Sequence, residues 1–134
     1  MTTLTTSYKG ALRTENIHTR SGSVVITDAP VDNKGKGEAF SPTDLVCTAL
    51  SSCMLTTMAI LADSENIDLT GLKTEVLKIM GSAPRRIAEV QITLSHDALQ
   101  ATDVQKQKLK NAALTCPVSL SLHDSVKQTV TFNF

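Results

Sequence analysis

The stretch SPTDLVCTALSSCMLTTMAILAD, from Ser41 to Asp63, decides the fold. Ser41 is a good helix N-cap, Pro42 suits the first helical position, and Asp44 at the third position complements both the cap and the helix dipole. The residues that follow contain no Gly or Pro, so nothing interrupts a helix before the acidic residue at Asp63. The pattern predicts one long helix from Pro42 to about Asp63.

This helix carries no charge from Leu45 to Ala62, a run of 18 residues that is near the length of a membrane span. Hydroxyl side chains interrupt the run, however, and its flanks are the acidic Asp44 and Asp63 rather than basic or aromatic residues. We therefore interpret the segment as a helix buried on nearly every side, with no membrane involved. In so small a protein, such burial favours a homodimer.

Length and composition indicate one globular domain spanning residues 1–134. Basic and acidic residues balance at 13 each, so no polybasic surface points to nucleic acid as a partner. The opening MTTLTTSYKG has no charged and then apolar run, and we expect no secretory signal. Three cysteines without an export signal favour the reducing cytoplasm, where a disulfide is usually transient and catalytic or sensory.

The remaining segments alternate between strand and helix signals. The Gly-spaced polar stretch from Asp32 to Phe40 predicts a mobile loop, and Thr102 with Gln105 predicts a capping box for a helix to about Leu114. A short helix should follow from Pro117 to about His123. The predicted strands cover residues 21–28, 69–80, 88–94 and 126–134, with a turn at 81–85. This order predicts an α+β domain in which helices pack on antiparallel sheets.

Two cysteines occupy different local settings. Cys53 lies about three turns into the long helix, too far from its N-terminus for the helix dipole to favour a thiolate. Cys116 directly precedes Pro117, at the N-cap position of the short helix, where free backbone N–H groups would favour a thiolate. Cys47 is about 120° away from Cys53 around the helix, and we interpret it as a packing residue.

The residues alone leave several readings of these thiols open. A zinc site needs three or four Cys or His ligands at short paired spacings, whereas His18, His96 and His123 are scattered along this chain. A Cys–His hydrolase pair has only His123 as a neighbour in sequence. Inert core thiols and a redox couple remain, and if the two cysteines meet, a sulfenic acid on one can condense with the other to a disulfide.

The motifs FSPTDLVCTALSSC and CPVS together resemble the OsmC/Ohr family, the osmotically inducible and organic hydroperoxide resistance proteins. In that family a Pro opens the central helix eleven residues before the reactive Cys, as Pro42 precedes Cys53 here, and a second Cys is usually followed by Pro, as at Cys116. The order of strands and helices agrees over nearly the whole chain. The resemblance implies an OsmC-like fold, with antiparallel sheets, a long buried central helix and an intertwined homodimer. It also implies that Cys53 is the peroxidatic thiol and Cys116 the resolving one.

The family's peroxide reductases also use an arginine from the N-terminal strands. In those reductases the arginine is followed along the strand by a Gly, a Val and an Asp, and the stretch RSGSVVITD from Arg20 to Asp28 has this pattern. The resemblance therefore implies Arg20 as the cation, with Arg13 and Lys36 as alternatives. A thiolate in the middle of an apolar helix needs such a neighbouring cation. The family's Glu after the helix Pro is replaced here by Thr43, and the acid stands one residue later, at Asp44.

The resemblance therefore implies a cysteine-based peroxidase that reduces organic hydroperoxides to alcohols and is regenerated by a dithiol reductant, such as a lipoylated protein. No metal, flavin or haem is implied. Thr43 and Asp44 are expected at the mouth of the substrate pocket. Ala49, Leu50 and Thr56, at helical spacing from Cys53, are expected to form its apolar wall. The alternative is a non-catalytic member of the family that senses redox state or binds a small ligand.

Overall fold

The computed structural model describes all 134 residues and divides into two compact units, Met1–Val46 and Cys47–Phe134. The first unit contains three strands: β1 (Leu4–Gly10), β2 (Arg13–His18) and β3 (Val24–Asp28). They form an antiparallel sheet in the order β1-β2-β3. Only Thr27, Asp28 and Ser41 are buried in this unit, so its sheet has almost no apolar core.

The segment after β3, a polar and Gly-spaced loop in the sequence, is held by backbone hydrogen bonds. A short 3-10 helix (Val31–Asn33) follows Pro30. The Gly35 N–H then donates to the Pro30 carbonyl at 2.9 Å, and the Gly37 N–H donates to the Ala29 carbonyl at 3.2 Å. A Cβ on Gly35 would lie 1.7 Å from the Ala29 oxygen, so this turn forms only around a glycine.

Helix α1 (Pro42–Ser64) begins and ends within one residue of the prediction. The Asp44 N–H donates to Ser41 Oγ at 3.0 Å, and the Ser41 N–H donates to Asp44 Oδ2 at 2.9 Å, which together make a capping box. By length and composition α1 would also be able to cross a membrane, a test that the core helices of soluble proteins also pass. One third of its most apolar window is buried within the chain.

The second unit holds β4 (Lys73–Gly81), β5 (Arg86–Ser95), α2 (Asp103–Leu114), α3 (Pro117–Ser121) and β6 (Lys127–Asn133). Thr102 and Gln105 form the predicted capping box of α2. The core of this unit is aliphatic, with contributions from α1, β5 and α2 (Leu50, Met54, Met58, Val90, Ile92, Leu94, Leu109 and Ala113). Val90, Ile92 and Leu94 are buried on one face of β5, as their alternation predicted.

The predicted α+β fold is confirmed, with antiparallel pairing in the first sheet and between β4 and β5, but the pairing of β5 with β6 differs from the predicted antiparallel arrangement. The order of the second sheet is β4-β5-β6, and β6 runs parallel to β5, from Glu89 opposite Lys127 to Ser95 opposite Asn133. Parallel neighbours need a long crossover connection, which α2 and α3 provide between β5 and β6. The fold is therefore α+β with one antiparallel and one mixed sheet.

Candidate active site around Cys53 and Cys116

Cys53 lies in the second unit on α1, two turns after the buried Cys47. Its side chain is half-buried, and its Sγ lies 4.0 Å from Thr57 Oγ1, one helical turn further on. Cys47 is packed in the aliphatic core, as predicted. Of these two helix cysteines, Cys53 is the one that solvent and solutes reach.

Cys116 is the N-cap of α3, as predicted, and is fully buried. The Ser119 N–H donates to Cys116 Sγ at 3.4 Å. Burial raises the pKa of the Cys116 thiol above its ordinary value, and this effect outweighs the backbone N–H groups of Ser119 and Val118, which lower it. The backbone N–H groups at the cap position favour the thiolate, as predicted, but desolvation penalises the charged form more strongly than one short helix stabilises it.

The fold brings the side chains of Cys53 and Cys116 together. A hydrogen bond and a charge interaction with Cys53 also raise the pKa of the Cys116 thiol, which requires the two side chains to be neighbours. Both cysteines are free thiols in this structure. The pair is asymmetric, because one thiol is accessible while the other is sealed from water and held as the neutral thiol.

Gln128 on β6 is part of the surroundings of Cys116 and was not identified from the sequence. Ser119 Oγ donates to Gln128 Oε1 at 2.5 Å, and Gln128 Nε2 donates to the Ser119 carbonyl at 3.1 Å. The signal was present in the strand alternation, where Gln128 is the polar residue in the series Val126, Gln128, Val130 and Phe132. A polar side chain on an apolar face needs a specific partner.

The predicted pocket residues on α1 separate into two groups. Ala49 and Thr56 are exposed, and Thr56 Oγ1 donates to the Ser52 carbonyl of its own helix at 2.9 Å. Leu50 is completely buried in the core and offers no surface to a substrate, so its assignment to a pocket wall was wrong. The reason is periodicity, because Leu50 shares the helix face of Cys47, Met54 and Met58, which points into the core.

In the first unit, Arg13 forms a bidentate ion pair with the buried Asp28. Its Nε lies 2.7 Å from Asp28 Oδ1, its Nη2 lies 2.8 Å from Oδ2, and Nη2 also lies 3.4 Å from Glu38 Oε2. The Glu38 N–H donates to Asp28 Oδ2 at 3.1 Å. The Arg13 guanidinium holds the pKa of Asp28 below its ordinary value, despite the opposing effect of burial.

The other predicted residues of this unit have different surroundings. Arg20 is exposed in the turn between β2 and β3, and Lys36 is exposed in the loop after the 3-10 helix. Asp44 acts in the helix cap, and Thr43 Oγ1 lies 3.2 Å from Ser41 Oγ. The fork of Arg13 is already engaged with Asp28.

Neither a metal site nor a histidine partner for the thiols emerges. The chain contains no group of three or more His, Cys, Asp or Glu side chains arranged to hold an ion. His123 Nδ1 accepts from the Ser125 N–H at 3.0 Å, so this nitrogen serves the turn before β6. The chemistry available at this site is therefore that of the two neighbouring thiols, Cys53 and Cys116.

Comparison with known proteins agrees with this fold. The model of the OsmC-like protein family matches residues 35–131. A crystal structure from Psychrobacter arcticus 273-4, of a protein named for osmotic stress induction and a detoxification response, is 48% identical with a TM-score of 0.94. That match covers 99% of this chain and 96% of the other. No curated protein sequence matches the chain significantly.

More distant structures share the fold alone. An organic hydroperoxide resistance protein OsmC from Legionella pneumophila is 15% identical with a TM-score of 0.73, covering 100% of this chain and 98% of the other. An OsmC-like protein from Mycoplasma pneumoniae is 15% identical with a TM-score of 0.79, covering 97% and 94%. The family model spans well over half of the sequence, and the chain belongs to the OsmC-like protein family.

Proposed function

We propose that this protein is a cysteine-based thiol peroxidase that reduces organic hydroperoxides to alcohols. The observation that carries the proposal is that the side chains of Cys53 and Cys116 are neighbours, so that Cys53 raises the pKa of the Cys116 thiol. The hydroperoxide-resistance and redox roles named for the structural neighbour from Legionella pneumophila support it, together with membership of the OsmC-like family. Two free thiols that contact each other supply the chemistry of such an enzyme without a metal or an organic cofactor.

The difference in accessibility assigns an order to the two thiols. Cys53 is half-buried and reachable, so its thiolate attacks the distal oxygen of the hydroperoxide, the one that carries the hydrogen. The S–O bond forms as the O–O bond breaks, and the departing alkoxide takes a proton to become the alcohol. Cys116 then attacks the Cys53 sulfenic acid, the S–S bond forms as the S–O bond breaks, and water leaves.

A dithiol must then return the disulfide to two thiols. We propose a lipoylated protein as the source of this dithiol and the reducing cytoplasm as its setting. Arg20 is proposed as the cation that favours the Cys53 thiolate, since Arg13 is engaged with Asp28. The exposed Ala49 and Thr56 are proposed to favour organic over inorganic peroxides, with Thr43 and Asp44 near the entrance.

The same proposal includes a homodimer. Ile60 on α1 is 68% exposed in the single chain, and the sheet of the first unit carries several exposed apolar residues (Leu4, Tyr8, Val24 and Val25). A three-stranded sheet without an apolar core needs a covering surface for stability. A second copy of this chain, related by two-fold symmetry, would supply one.

One equivalent of cumene hydroperoxide per chain, followed by thiol counting and intact mass, tests the chemistry. Wild type should lose two thiols rapidly, Cys53→Ser should not react, and Cys116→Ser should accumulate a sulfenic or over-oxidised Cys53. Cys47→Ala is the matched control and should still lose two thiols, because Cys47 is a core residue. If all four proteins stay reduced over minutes, the peroxidase assignment is wrong.

A second candidate is a member of the family that binds a small ligand without turnover. A cleft of about 720 Å³ in the second unit has a mixed lining, in which Leu55 and Leu69 face it together with the acidic Asp63 and Asp68, and neither Cys53 nor Cys116 lines it. Binding of a small ligand there, with unreactive thiols in the peroxide experiment, would favour this function instead.

A further inference from the structure

Gln128 connects strand β6 to helix α3 at the residue next to the buried thiol. Both ends of its amide are used, because Oε1 accepts from Ser119 Oγ at 2.5 Å and Nε2 donates to the Ser119 carbonyl at 3.1 Å. The side chain and the backbone of one residue are therefore held from the same point on the sheet. Two hydrogen bonds from one planar amide fix orientation as well as distance.

Ser119 in turn supplies the N–H that reaches the sulfur of Cys116, at 3.4 Å. Helix α3 has only five residues, and the Leu120 N–H donates to the carbonyl of its N-cap residue, Cys116, at 3.1 Å. So short a helix is weakly stable by itself. Its position relative to the sheet therefore depends on contacts such as those of Gln128.

The N–H of Ser119 matters because Cys116 is buried. Desolvation raises the pKa of this thiol, and the backbone N–H groups of Ser119 and Val118 are the groups that oppose it. Attack on an oxidised Cys53 requires the Cys116 thiolate. Any loss of the Ser119 hydrogen bond therefore reduces the fraction of Cys116 that can react.

We propose that Gln128 is a positioning residue that holds the Ser119 N–H against Cys116 and thereby sets the rate at which Cys116 closes the disulfide with Cys53. The inference rests on the proposed resolving role of Cys116. Gln128 acts through Ser119 and not on the sulfur itself.

Disulfide closure can be measured without peroxide by reacting the reduced protein with 5,5′-dithiobis(2-nitrobenzoate). The Cys53 thiolate attacks the reagent, which forms a mixed disulfide and releases one thionitrobenzoate. The Cys116 thiolate then attacks Cys53 in that mixed disulfide, forms the Cys53–Cys116 bond and releases the second thionitrobenzoate. The second release, followed by absorbance as a function of pH, reports the Cys116 thiolate.

Gln128→Leu removes both hydrogen bonds at similar volume. We expect the pH midpoint of the second release to rise by about one unit, with a rate at neutral pH about tenfold lower, because a hydrogen bond to a charged group is lost. The rate at high pH should be unchanged, since the thiolate, once formed, attacks the same sulfur. Ser119→Ala keeps the hydrogen bond from Gln128 to the Ser119 carbonyl, so its pH midpoint should shift less. The double variant Ser119→Ala/Gln128→Leu should show the same shift as Gln128→Leu alone, because both changes act through the same hydrogen bonds.

Thr129→Val is the matched control, because Thr129 is the next residue on β6 and loses only a hydroxyl hydrogen bond to Glu89. Its pH midpoint should equal that of wild type. An unchanged midpoint in Gln128→Leu and Ser119→Ala, an equal shift in Thr129→Val, or no second release from wild type would each overturn the proposal. A protein that completes both releases but does not react with cumene hydroperoxide would refute the peroxidase function and leave the role of Gln128 standing.

Discussion

The Cys53 side chain on α1 is a neighbour of the Cys116 thiol at the start of α3 and raises the pKa of that thiol. Their solvent exposure differs, since Cys53 is accessible and Cys116 is buried. This asymmetry gives the two residues different chemistry from the same functional group. An accessible thiol meets an external oxidant, whereas a buried neutral thiol is protected from it until its partner has reacted.

The raised pKa of Cys116 predicts a loss of stability at alkaline pH. In the unfolded chain this thiol ionises near its ordinary value of 9.0, while in the folded chain it stays protonated to higher pH. The contribution is fully present below about pH 9 and declines as the pH rises toward the folded-state value. Urea unfolding of the reduced protein should therefore show a larger fall between pH 8 and pH 10 in wild type than in Cys116→Ser. Equal falls would contradict the assignment.

The Arg13–Asp28 pair predicts a loss of stability at acidic pH. Because the pKa of Asp28 is lowered on folding, its contribution is present above the ordinary value of 3.8 and is lost as the pH falls through the folded-state value. Arg13→Gln should lower the free energy of unfolding at pH 7 and differ less from wild type at pH 3, where part of the contribution of Asp28 has been lost. Arg20→Gln is the control and should match wild type at both pH values, since Arg20 is exposed. A variant difference that persists in full at pH 3 would exclude the ion pair as its cause.

Gly35 predicts a backbone constraint in the loop after β3. An added Cβ would overlap the Ala29 carbonyl oxygen, which belongs to the backbone and cannot rotate away. Gly35→Ala should destabilise the protein at the upper end of the roughly 1–3 kcal/mol typical of overpacking. In Gly81→Ala, the control, the added Cβ meets the end of the flexible Arg86 side chain at 2.8 Å, and the cost should be smaller. Thermal melting compares the two, and equal melting temperatures would refute the constraint.

The elements of this fold with strong local signals were predictable from the sequence. The Ser41–Asp44 cap, the Thr102–Gln105 cap and the alternation along β5 are all present, because each depends on residues close together in the chain. The direction of β6 was not predictable in the same way. Alternation indicates a strand but not the direction of its neighbour, which is set by the crossover through α2 and α3.

The two cysteines of the candidate site were predictable from the sequence, but their surroundings were not. The motifs identified Cys53 and Cys116, whereas the environment of each thiol depends on contacts between distant segments. Desolvation of Cys116 and the Gln128–Ser119 bonds require the sheet and α3 to be packed together, and no spacing in the sequence reports that packing. Leu50 was misassigned because helical proximity to Cys53 does not show which face is buried.

The two groups of predicted pocket residues lead to different outcomes on substitution. Leu50→Ala should cost about 2–5 kcal/mol of stability, as large-to-small changes in a core do, without altering the preference between peroxides. Ala49→Asn places a polar but uncharged side chain on the exposed face and should reduce the rate with cumene hydroperoxide more than that with hydrogen peroxide. Stopped-flow rates with both oxidants measure the preference. Equal wild-type rates with the two peroxides would remove the basis for an apolar pocket on this helix.

The exposed face of α1 predicts how the proposed dimer can be broken. Ile60 is 68% exposed in the single chain and lies on a helix whose charged residues are confined to its ends. Two-fold symmetry would bring two copies of any new charge into one interface, so Ile60→Glu should raise the dimer dissociation constant at least about a hundredfold.

Val104→Glu is the matched control, because Val104 is 67% exposed on α2 and receives the same charge. Sedimentation velocity over a concentration series should show a dimer for wild type and Val104→Glu and a monomer for Ile60→Glu. A monomeric wild type would refute the homodimer, and a dimeric Ile60→Glu would place its interface elsewhere than on this face of α1.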